Sequence, residues 1–306
     1  MGLNDSRPHY LPVYVAESRT QATVFKLDPN PISPPTATAY VTSVPGANGI
    51  AFKGSNLWIS DGTTGLGRVW KVAAGGGDCA GSDPRCEEVF RIQPMNNSST
   101  LGGLSQGVGR QNQSLQPPQT PAAGPATQNL VANGLAFNTD GDLFVADTAR
   151  GALWQVKFNS DGSLKSHVGC DNTFQPNTLC LNHVFRADPR LEGADGIALD
   201  NNGNIWVAGN ERQAIAIFGT GVAAEVFRNP AGADGLRNKG DNTRILEFPT
   251  SPFITGTKLC VAQSDGNRRD NSPASAGEVT SSGPSRGKIS CMDQDLTSSG
   301  LPLPRP

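Results

Sequence analysis

The 306-residue sequence has no long apolar run and no excess of charge of either sign. No stretch approaches the ~20 apolar residues that a helix needs to cross a bilayer. Lysine and arginine together number 25, and aspartate and glutamate 27. Neither the basic stripe of a nucleic-acid-binding protein nor the basic amphipathic helix of a membrane-surface protein is present. The sequence therefore predicts neither a nucleic-acid partner nor a membrane partner.

Cysteine pairs with the CxxC spacing of zinc or redox sites are also missing. An even number of cysteines in close pairs favours disulfides and an oxidising compartment, with reduced and buried thiols as the alternative. The six cysteines form three such pairs: Cys79 with Cys86, Cys170 with Cys180, and Cys260 with Cys291.

The beginning of the chain lacks the apolar core of a signal peptide. Either a signal has been removed or the start of the chain is missing. Glycosylation sequons fit the oxidising compartment that the cysteines favour, and four occur, at Asn4, Asn96, Asn97 and Asn112. We therefore predict a protein that is secreted or belongs to the secretory pathway.

One pattern of short apolar segments does recur along most of the sequence. Each full copy opens with Asn-Gly or Asp-Gly, and its second segment ends thirteen or fourteen positions later. The three full copies are 48–52, 57–61 and 67–72; 133–137, 143–147 and 151–156; 195–199, 205–209 and 213–218. A weaker copy runs from 250 to 263 with a third segment at 288–292, and a partial copy covers 13–17 and 23–27.

Most copies are followed by a further short strand, so each unit predicts four strands, which we call a to d. The four following segments are 38–41, 87–91, 183–186 and 225–228. Repeated four-stranded units are the signature of β-propeller blades. We predict an all-β fold, a single β-propeller domain over residues 1–306 with four-stranded antiparallel blades. Five units are visible and the terminal ones are incomplete, so a ring of six blades is predicted.

The longest insertions between the predicted strands all fall on one face of the propeller. Strand a leaves this face and strand b returns to it, so the loops from b to c and from d to the next a lie together. Three long segments occupy such loops: 94–129, 229–247 and 265–287. We predict that 94–129 and 265–287 cover the mouth of the central channel, with simple tolerance of insertions as the alternative.

Asn48, Asn133 and Asp195 occupy the same place at the start of predicted strand a. Strands a line the channel of a propeller, so the repeat brings these three side chains together at the mouth. Amide and carboxylate oxygens suit a hard cation such as Ca²⁺ or Mg²⁺. The alternative is local, because Asn-Gly and Asp-Gly are common turn dipeptides whose side chains cap the turn.

The repeated units, with Asn-Gly opening strand a and Val-Ala-Asp closing strand b, resemble the propellers of the senescence-marker-protein, gluconolactonase and lactonase type. The resemblance covers about residues 11–293. It implies a divalent cation, usually calcium, held by a glutamate of the first blade and by Asn133 and Asp195. Asn48 resembles a further mouth asparagine that holds substrate or metal. The early Glu-Gly-Pro stretch that carries the family's glutamate has no counterpart in this sequence.

The resemblance implies hydrolysis of a lactone or a similar ester, with Asn133 and Asp195 as catalytic residues. The metal would polarise the carbonyl oxygen and orient water, and Asp195 could act as the base. Asp147, at the end of strand b, and Arg212, in a b–c loop, are candidates for substrate contact; turn bonding and a solvated loop charge are their alternatives. No Gly-x-Ser-x-Gly nucleophile motif occurs, and His9, His167 and His183 lie outside the predicted inner strands.

Three functions remain open from the sequence. The first is a metal-dependent hydrolase of the lactonase type acting on a small molecule as a monomer. The second is a metal-free pericyclase of natural-product biosynthesis, such as the hetero-Diels–Alderases among fungal propellers, in which a shaped pocket orients the reacting partners. The third is a non-catalytic binding propeller.

Overall fold

Twenty strands in five sheets make up the described part of a computed structural model of the chain. The structure describes residues 13–17, 21–28, 36–62, 64, 66–92, 132–148, 150–165, 177–191, 193–210, 212–228, 246, 249–255, 257–263 and 288–293. The predicted mouth-covering segments 94–129 and 265–287, the four sequons, His9, His167 and Cys170 lie outside these residues.

The first two sheets each gain a short parallel strand from a loop. The first sheet consists of β1 (Val13–Ala16), β2 (Ala22–Leu27), β3 (Ala37–Val44) and the short strand β7 (Gly77–Asp78). The second consists of β4 (Ala47–Lys53), β5 (Asn56–Asp61), β6 (Arg68–Val72), β8 (Cys86–Ile92) and the short strand β12 (Thr178–Leu179).

The other three sheets are antiparallel throughout. The third contains β9 (Ala132–Phe137), β10 (Leu143–Asp147), β11 (Ala152–Val156) and β13 (Val184–Ala187), and the fourth contains β14 (Ala194–Leu199), β15 (Ile205–Gly209), β16 (Ala214–Gly219) and β17 (Val222–Arg228). The fifth contains β18 (Pro249–Thr255), β19 (Lys258–Gln263) and β20 (Lys288–Asp293). Two short 3-10 turns, Leu181–His183 and Pro189–Leu191, flank β13.

The sheets are arranged as the blades of a β-propeller. The innermost strands β4, β9, β14 and β18 lie side by side in that order. The sheets of β4, β9 and β14 continue outward in the predicted order a to d, and the described part of the sheet of β18 runs from a to c. The fold prediction is therefore confirmed, with five blades in the described residues. A sixth blade stays a prediction. The described part of the chain contains no helix that is long and apolar enough to span a bilayer.

The core consists of layers between neighbouring blades, and the strands b of the second, third and fourth sheets, β5, β10 and β15, each contribute to two of them. Leu57 and Ile59 pack towards the first sheet, whereas Trp58 packs towards the third. In β15, Ile205 and Val207 pack on one side and Trp206 on the other. Because both faces of these strands are covered, their sequences are continuously apolar instead of alternating. Trp58, Trp154 and Trp206 are buried in these layers, and Trp70 is partly buried.

Two of the three predicted disulfides are present in full among the described residues. Cys79 and Cys86 are bonded with a Cα–Cα distance of 5.3 Å. Cys260 on β19 and Cys291 on β20 face each other directly in the strand register and are bonded with a Cα–Cα distance of 4.0 Å. Cys180 is also disulfide-bonded.

Candidate functional site: a polar ring at the channel mouth

The Asn-Gly and Asp-Gly pairs form bulges inside the inner strands. In β4, Asn48 and Gly49 together lie opposite the single residue Ser60. The same register shift occurs at Asn133 in β9 and at Asp195 in β14. A bulge adds a residue to one strand and re-aims its side chains. The local alternative of a capped turn is therefore wrong for these residues, because all three lie within strands.

The glycine of each pair is required by the close approach of the next blade. A Cβ atom on Gly134 would lie 2.6 Å from the carbonyl oxygen of Asp195. Corresponding distances are 2.3 Å from Gly49 to the oxygen of Asn133 and 2.4 Å from Gly196 to the oxygen of Thr250. No side chain fits between these backbones. The four inner strands thus meet at the mouth through their bulges, and Thr250 is the fourth member of the series.

The mouth residues line a cavity of ≈ 370 Å³. Its polar lining comes from Asn48, Asn133, Asp195, Thr250 and Ser251, and its apolar lining comes from Ile50, Leu135, Ile197 and Pro252. Asp195 is the one ionisable side chain among the described lining residues. The structure therefore brings together the three residues that the repeat predicted, around a single carboxylate.

Asn133 is held in a defined orientation by Thr148. The Thr148 hydroxyl lies 2.6 Å from the carbonyl oxygen of Ala194, which can only accept a hydrogen bond. The hydroxyl proton is thus directed to Ala194, and its oxygen accepts a hydrogen bond from Asn133 Nδ2 at 3.0 Å. Since Nδ2 faces Thr148, Asn133 Oδ1 is the amide atom that points away from this contact.

Asp195 is partly exposed, and its carboxylate is held by Asn210. The Nδ2 atom of Asn210 donates a hydrogen bond to Asp195 Oδ2 at 3.1 Å. Asn210 itself is only 3% exposed. Asn48, in contrast, is partly exposed and makes no side-chain hydrogen bond to any residue that the structure describes.

Asp147 does not line the cavity and is enclosed in a network of its own. Its side chain is 0% exposed. It accepts hydrogen bonds from Arg150 NH1 at 2.8 Å, from the Arg150 backbone N–H at 3.0 Å and from Trp154 Nε1 at 3.0 Å. Asp61 occupies the same position in the second sheet and is bonded by Arg68 Nε at 2.8 Å. The turn-bonding interpretation fits Asp147, whose carboxylate is buried and accepts three hydrogen bonds.

Arg212 is likewise bound elsewhere. Its Nε donates to Glu225 Oε2 at 2.9 Å, and its NH1 donates to the carbonyl oxygen of Pro189 at 3.2 Å. The side chain is 16% exposed, so Arg212 is not a solvated loop charge. It is not among the described residues that line the cavity. His183 is buried beside Cys180, with Nδ1 3.7 Å from the sulfur, and it lies outside the inner strands as predicted.

The mouth offers oxygen ligands of the kind that a hard cation prefers. Asn133 Oδ1 is turned away from Thr148, Asp195 supplies a carboxylate, and Asn48 adds a further amide at the same cavity. Among the described residues, no group of three or more histidine, cysteine, aspartate or glutamate side chains could hold a metal ion. A cation at this mouth would therefore depend on amide oxygens around one carboxylate, which fits Ca²⁺ in donor type.

The sequence of the central part of the chain matches a known family. Residues 118–230 match the SMP-30/Gluconolactonase/LRE-like region. The resemblance predicted from the repeated units is thus confirmed for the part of the chain that carries Asn133 and Asp195. No curated protein matches the chain in sequence.

Several solved structures are similar to this chain at low identity. A luciferin-regenerating enzyme is 14% identical with a TM-score of 0.46, and the match covers 82% of this chain and 69% of that one. The calcium-binding protein regucalcin of Agrobacterium tumefaciens strain C58 is 16% identical with a TM-score of 0.39, over 83% and 68% of the two chains. A nidogen/laminin complex is 11% identical with a TM-score of 0.48, over 92% and 81%.

Two residues of the site, Thr148 and Asn210, are not found by the sequence reasoning. Both directly follow a strand b and hold the mouth residue of their own sheet. Their signal in the sequence is positional. The residue after Val-Ala-Asp or Val-Ala-Gly lies beside the residue that opens the bulge. An alignment of the copies that extends one residue past strand b includes this position.

Proposed function

We propose that this protein is a small-molecule hydrolase that opens a lactone or a similar ester at the channel mouth. The observation that carries the proposal is Asp195, the one carboxylate among the described lining residues, which is partly exposed and held by Asn210. The match of residues 118–230 to the gluconolactonase-like family supports the reaction class.

In the proposed reaction, Asp195 takes a proton from a water molecule whose oxygen attacks the lactone carbonyl carbon. The ring C–O bond breaks, and the proton returns from Asp195 to the leaving alkoxide oxygen, so that a hydroxy acid is formed. Asn133 Oδ1 accepts a hydrogen bond from the attacking water, and the Asn48 amide donates to an oxygen of the substrate. The apolar lining from Ile50, Leu135 and Ile197 contacts the carbon skeleton.

Asn48, Asn133 and Asp195 are also the residues that would hold a calcium ion in this proposal. A bound Ca²⁺ would supply a Lewis acid that polarises the carbonyl oxygen. The amide oxygens bind the ion without adding charge, and Asp195 provides the one negative charge of the set.

The proposal is tested by following acid release from a panel of aliphatic and sugar lactones, with and without added Ca²⁺. We expect turnover of at least one lactone by the wild-type chain and a loss of at least about a hundredfold in Asp195→Asn. Asp140→Asn is the matched control, because it removes an exposed carboxylate from a distant hairpin turn. Equal rates in the two variants, or no turnover by the wild type, would contradict the proposal.

We further propose that the protein works in an oxidising compartment. Two complete disulfides and the bonded Cys180 support this proposal. Thiol titration of the denatured protein from its native source should find no free cysteine; six free thiols would contradict it.

A further inference from the structure

The residue that directly follows strand b contacts the mouth residue of its own sheet in three successive blades. These pairs are Gly62 with Asn48, Thr148 with Asn133, and Asn210 with Asp195. The first contact is steric, since a Cβ on Gly62 would lie 2.5 Å from Asn48 Nδ2. The other two are hydrogen bonds. The same position of the repeat thus lies against the mouth residue in all three blades, through close approach at Gly62 and through hydrogen bonds at Thr148 and Asn210.

Asn210 is fixed in place by its backbone as well as by its side chain. Its N–H donates to the carbonyl oxygen of Gly193 at 3.0 Å, and its carbonyl oxygen accepts from the N–H of Gln213 at 3.2 Å. Gln213 has a positive φ of 50°, which is rare for a residue other than glycine. The turn after β15 is therefore built in one specific conformation that delivers the Asn210 amide to Asp195.

The Asn210 amide is also held at a cost to stability. A carboxylate only accepts hydrogen bonds, so Nδ2 must face Asp195, and Oδ1 must face the opposite way. There, Oδ1 is buried and has no hydrogen-bond partner among the described residues. A buried acceptor without a partner is unfavourable. An apolar side chain of the same size would avoid this cost, so packing alone does not account for an asparagine.

We infer that Asn210 is the positioning residue of the site and orients the Asp195 carboxylate towards the cavity, with Thr148 doing the same for Asn133. The expected loss of kcat rests on the proposed function. The expected change in the Asp195 rotamer does not. Without Asn210, the Asp195 carboxylate loses the hydrogen bond that Oδ2 accepts from Nδ2 and samples other rotamers. The reacting groups are then misaligned, and misalignment of a base lowers the rate of the chemical step more than the binding of substrate.

The test is Asn210→Leu, which keeps the approximate shape and removes both the donor and the buried acceptor. We expect three results together: a melting temperature equal to or above that of the wild type, more than one Asp195 rotamer in a crystal structure of the variant, and a kcat reduced by about ten- to a hundredfold with KM changed by less than about threefold. A merely structural Asn210 would instead lower the melting temperature and leave the Asp195 rotamer and kcat unchanged, and this would overturn the inference.

Asn204→Leu is the matched control. Asn204 makes the same kind of contact, with Nδ2 2.9 Å from Asp200 Oδ2, but in the hairpin between β14 and β15. We expect this variant to melt at a lower temperature and to keep the wild-type Asp195 rotamer and kcat. If no lactone is turned over by the wild type, the proposed function fails. The rotamer and melting results still decide the inference: a single wild-type-like Asp195 rotamer in Asn210→Leu would refute it.

Thr148 provides a second, independent variant. Thr148→Val removes the hydroxyl and leaves Asn133 Nδ2 and the carbonyl oxygen of Ala194 without this partner. We expect the Asn133 amide to turn in the variant crystal structure, and Thr148→Ser to restore both the wild-type orientation and kcat. An unchanged Asn133 in Thr148→Val would contradict the inference for this pair.

Discussion

Asp147 and Asp195 lie on the same face of the propeller and have opposite environments. Asp147 ends strand b, where Arg150 and the indole of Trp154 on strand c surround its carboxylate. Asp195 lies in the bulge of β14, the innermost strand of its sheet. One edge of β14 pairs with β15, and the other edge faces the channel. One carboxylate is closed off by its neighbours, and the other lines a cavity.

The difference shows that the place within the blade decides what an aspartate does. The end of strand b lies between two strands and under a returning loop, so a carboxylate there meets donors of its own blade. The bulge of strand a lies between two blades, and the glycine beside it keeps the neighbouring backbone close. Polar groups at this position are directed to the channel because no room is left elsewhere.

The largest expected change in the free energy of unfolding follows from replacing the buried Asp147. Asp147→Ala leaves the guanidinium of Arg150, which is 3% exposed, without its carboxylate partner. Breaking a buried ion pair in this way costs about 3–5 kcal/mol. The free energy of unfolding, measured in urea, should fall by this amount, whereas Asp140→Asn should leave it within about 0.5 kcal/mol of the wild-type value. A loss below about 1 kcal/mol in Asp147→Ala would show that the pair is not structural.

A smaller effect is expected where the bulge meets the next blade. Gly134→Ala places a Cβ within 2.7 Å of three backbone atoms of residues 195–197. Because backbone cannot rotate away, we expect a loss of about 1–3 kcal/mol in the free energy of unfolding. Gly81→Ala is the control, since its added Cβ would meet nothing within 4 Å. Equal unfolding free energies for the two variants would contradict the close contact between blades.

A third aspartate, Asp188, sharpens the comparison through its dependence on pH. Burial raises the pKa of Asp188, but hydrogen bonds and charge from Arg190, with the charge of Arg186, outweigh it and hold the pKa below its ordinary value of 3.8. Its contribution to stability is therefore fully present above pH 3.8 and is lost as the pH falls through the lowered pKa. Because Arg190 is partly exposed, we expect less than about 1 kcal/mol.

The measurement is the free energy of unfolding of the wild type and Arg190→Ala between pH 6 and pH 2. Both proteins lose stability in acid for other reasons, so the informative quantity is the difference between them. This difference should shrink as the pH falls below about 4. A difference that stays constant over the whole range would contradict the ion pair.

The smallest effect on stability is expected at the partly exposed carboxylate of Asp195. Asp195→Asn keeps one oxygen that accepts from Asn210 Nδ2 and replaces the other oxygen, with the negative charge, by an NH2 group. The free energy of unfolding should stay within about 0.5 kcal/mol of the wild-type value, in contrast to Asp147→Ala. A loss of several kcal/mol, seen by urea unfolding, would place Asp195 with the structural aspartates.

The sequence predicts the fold and the mouth residues because both follow from the regular spacing of the repeated units. Equal spacing aligned Asn48, Asn133 and Asp195, and the propeller then brought them to one cavity. The bulges were missed because Asn-Gly reads as a turn until the strand register is known. The partners of Asp147 and Arg212 could not be predicted, because Trp154 and Glu225 come from other strands, and no residue type alone indicates whether a charge is already paired. Contact of Asp147 or Arg212 with a substrate stays a prediction.

Calcium titration by calorimetry tests the central claim, that Asp195 is the carboxylate of the mouth that engages a ligand. The comparison is between the wild type, Asp195→Asn and the control Asp140→Asn. We predict that the wild type and the control bind the ion with the same affinity and that the heat of binding disappears in Asp195→Asn. Binding that survives in Asp195→Asn, or that is absent from the wild type, would contradict the account of this mouth as a calcium-dependent hydrolytic site.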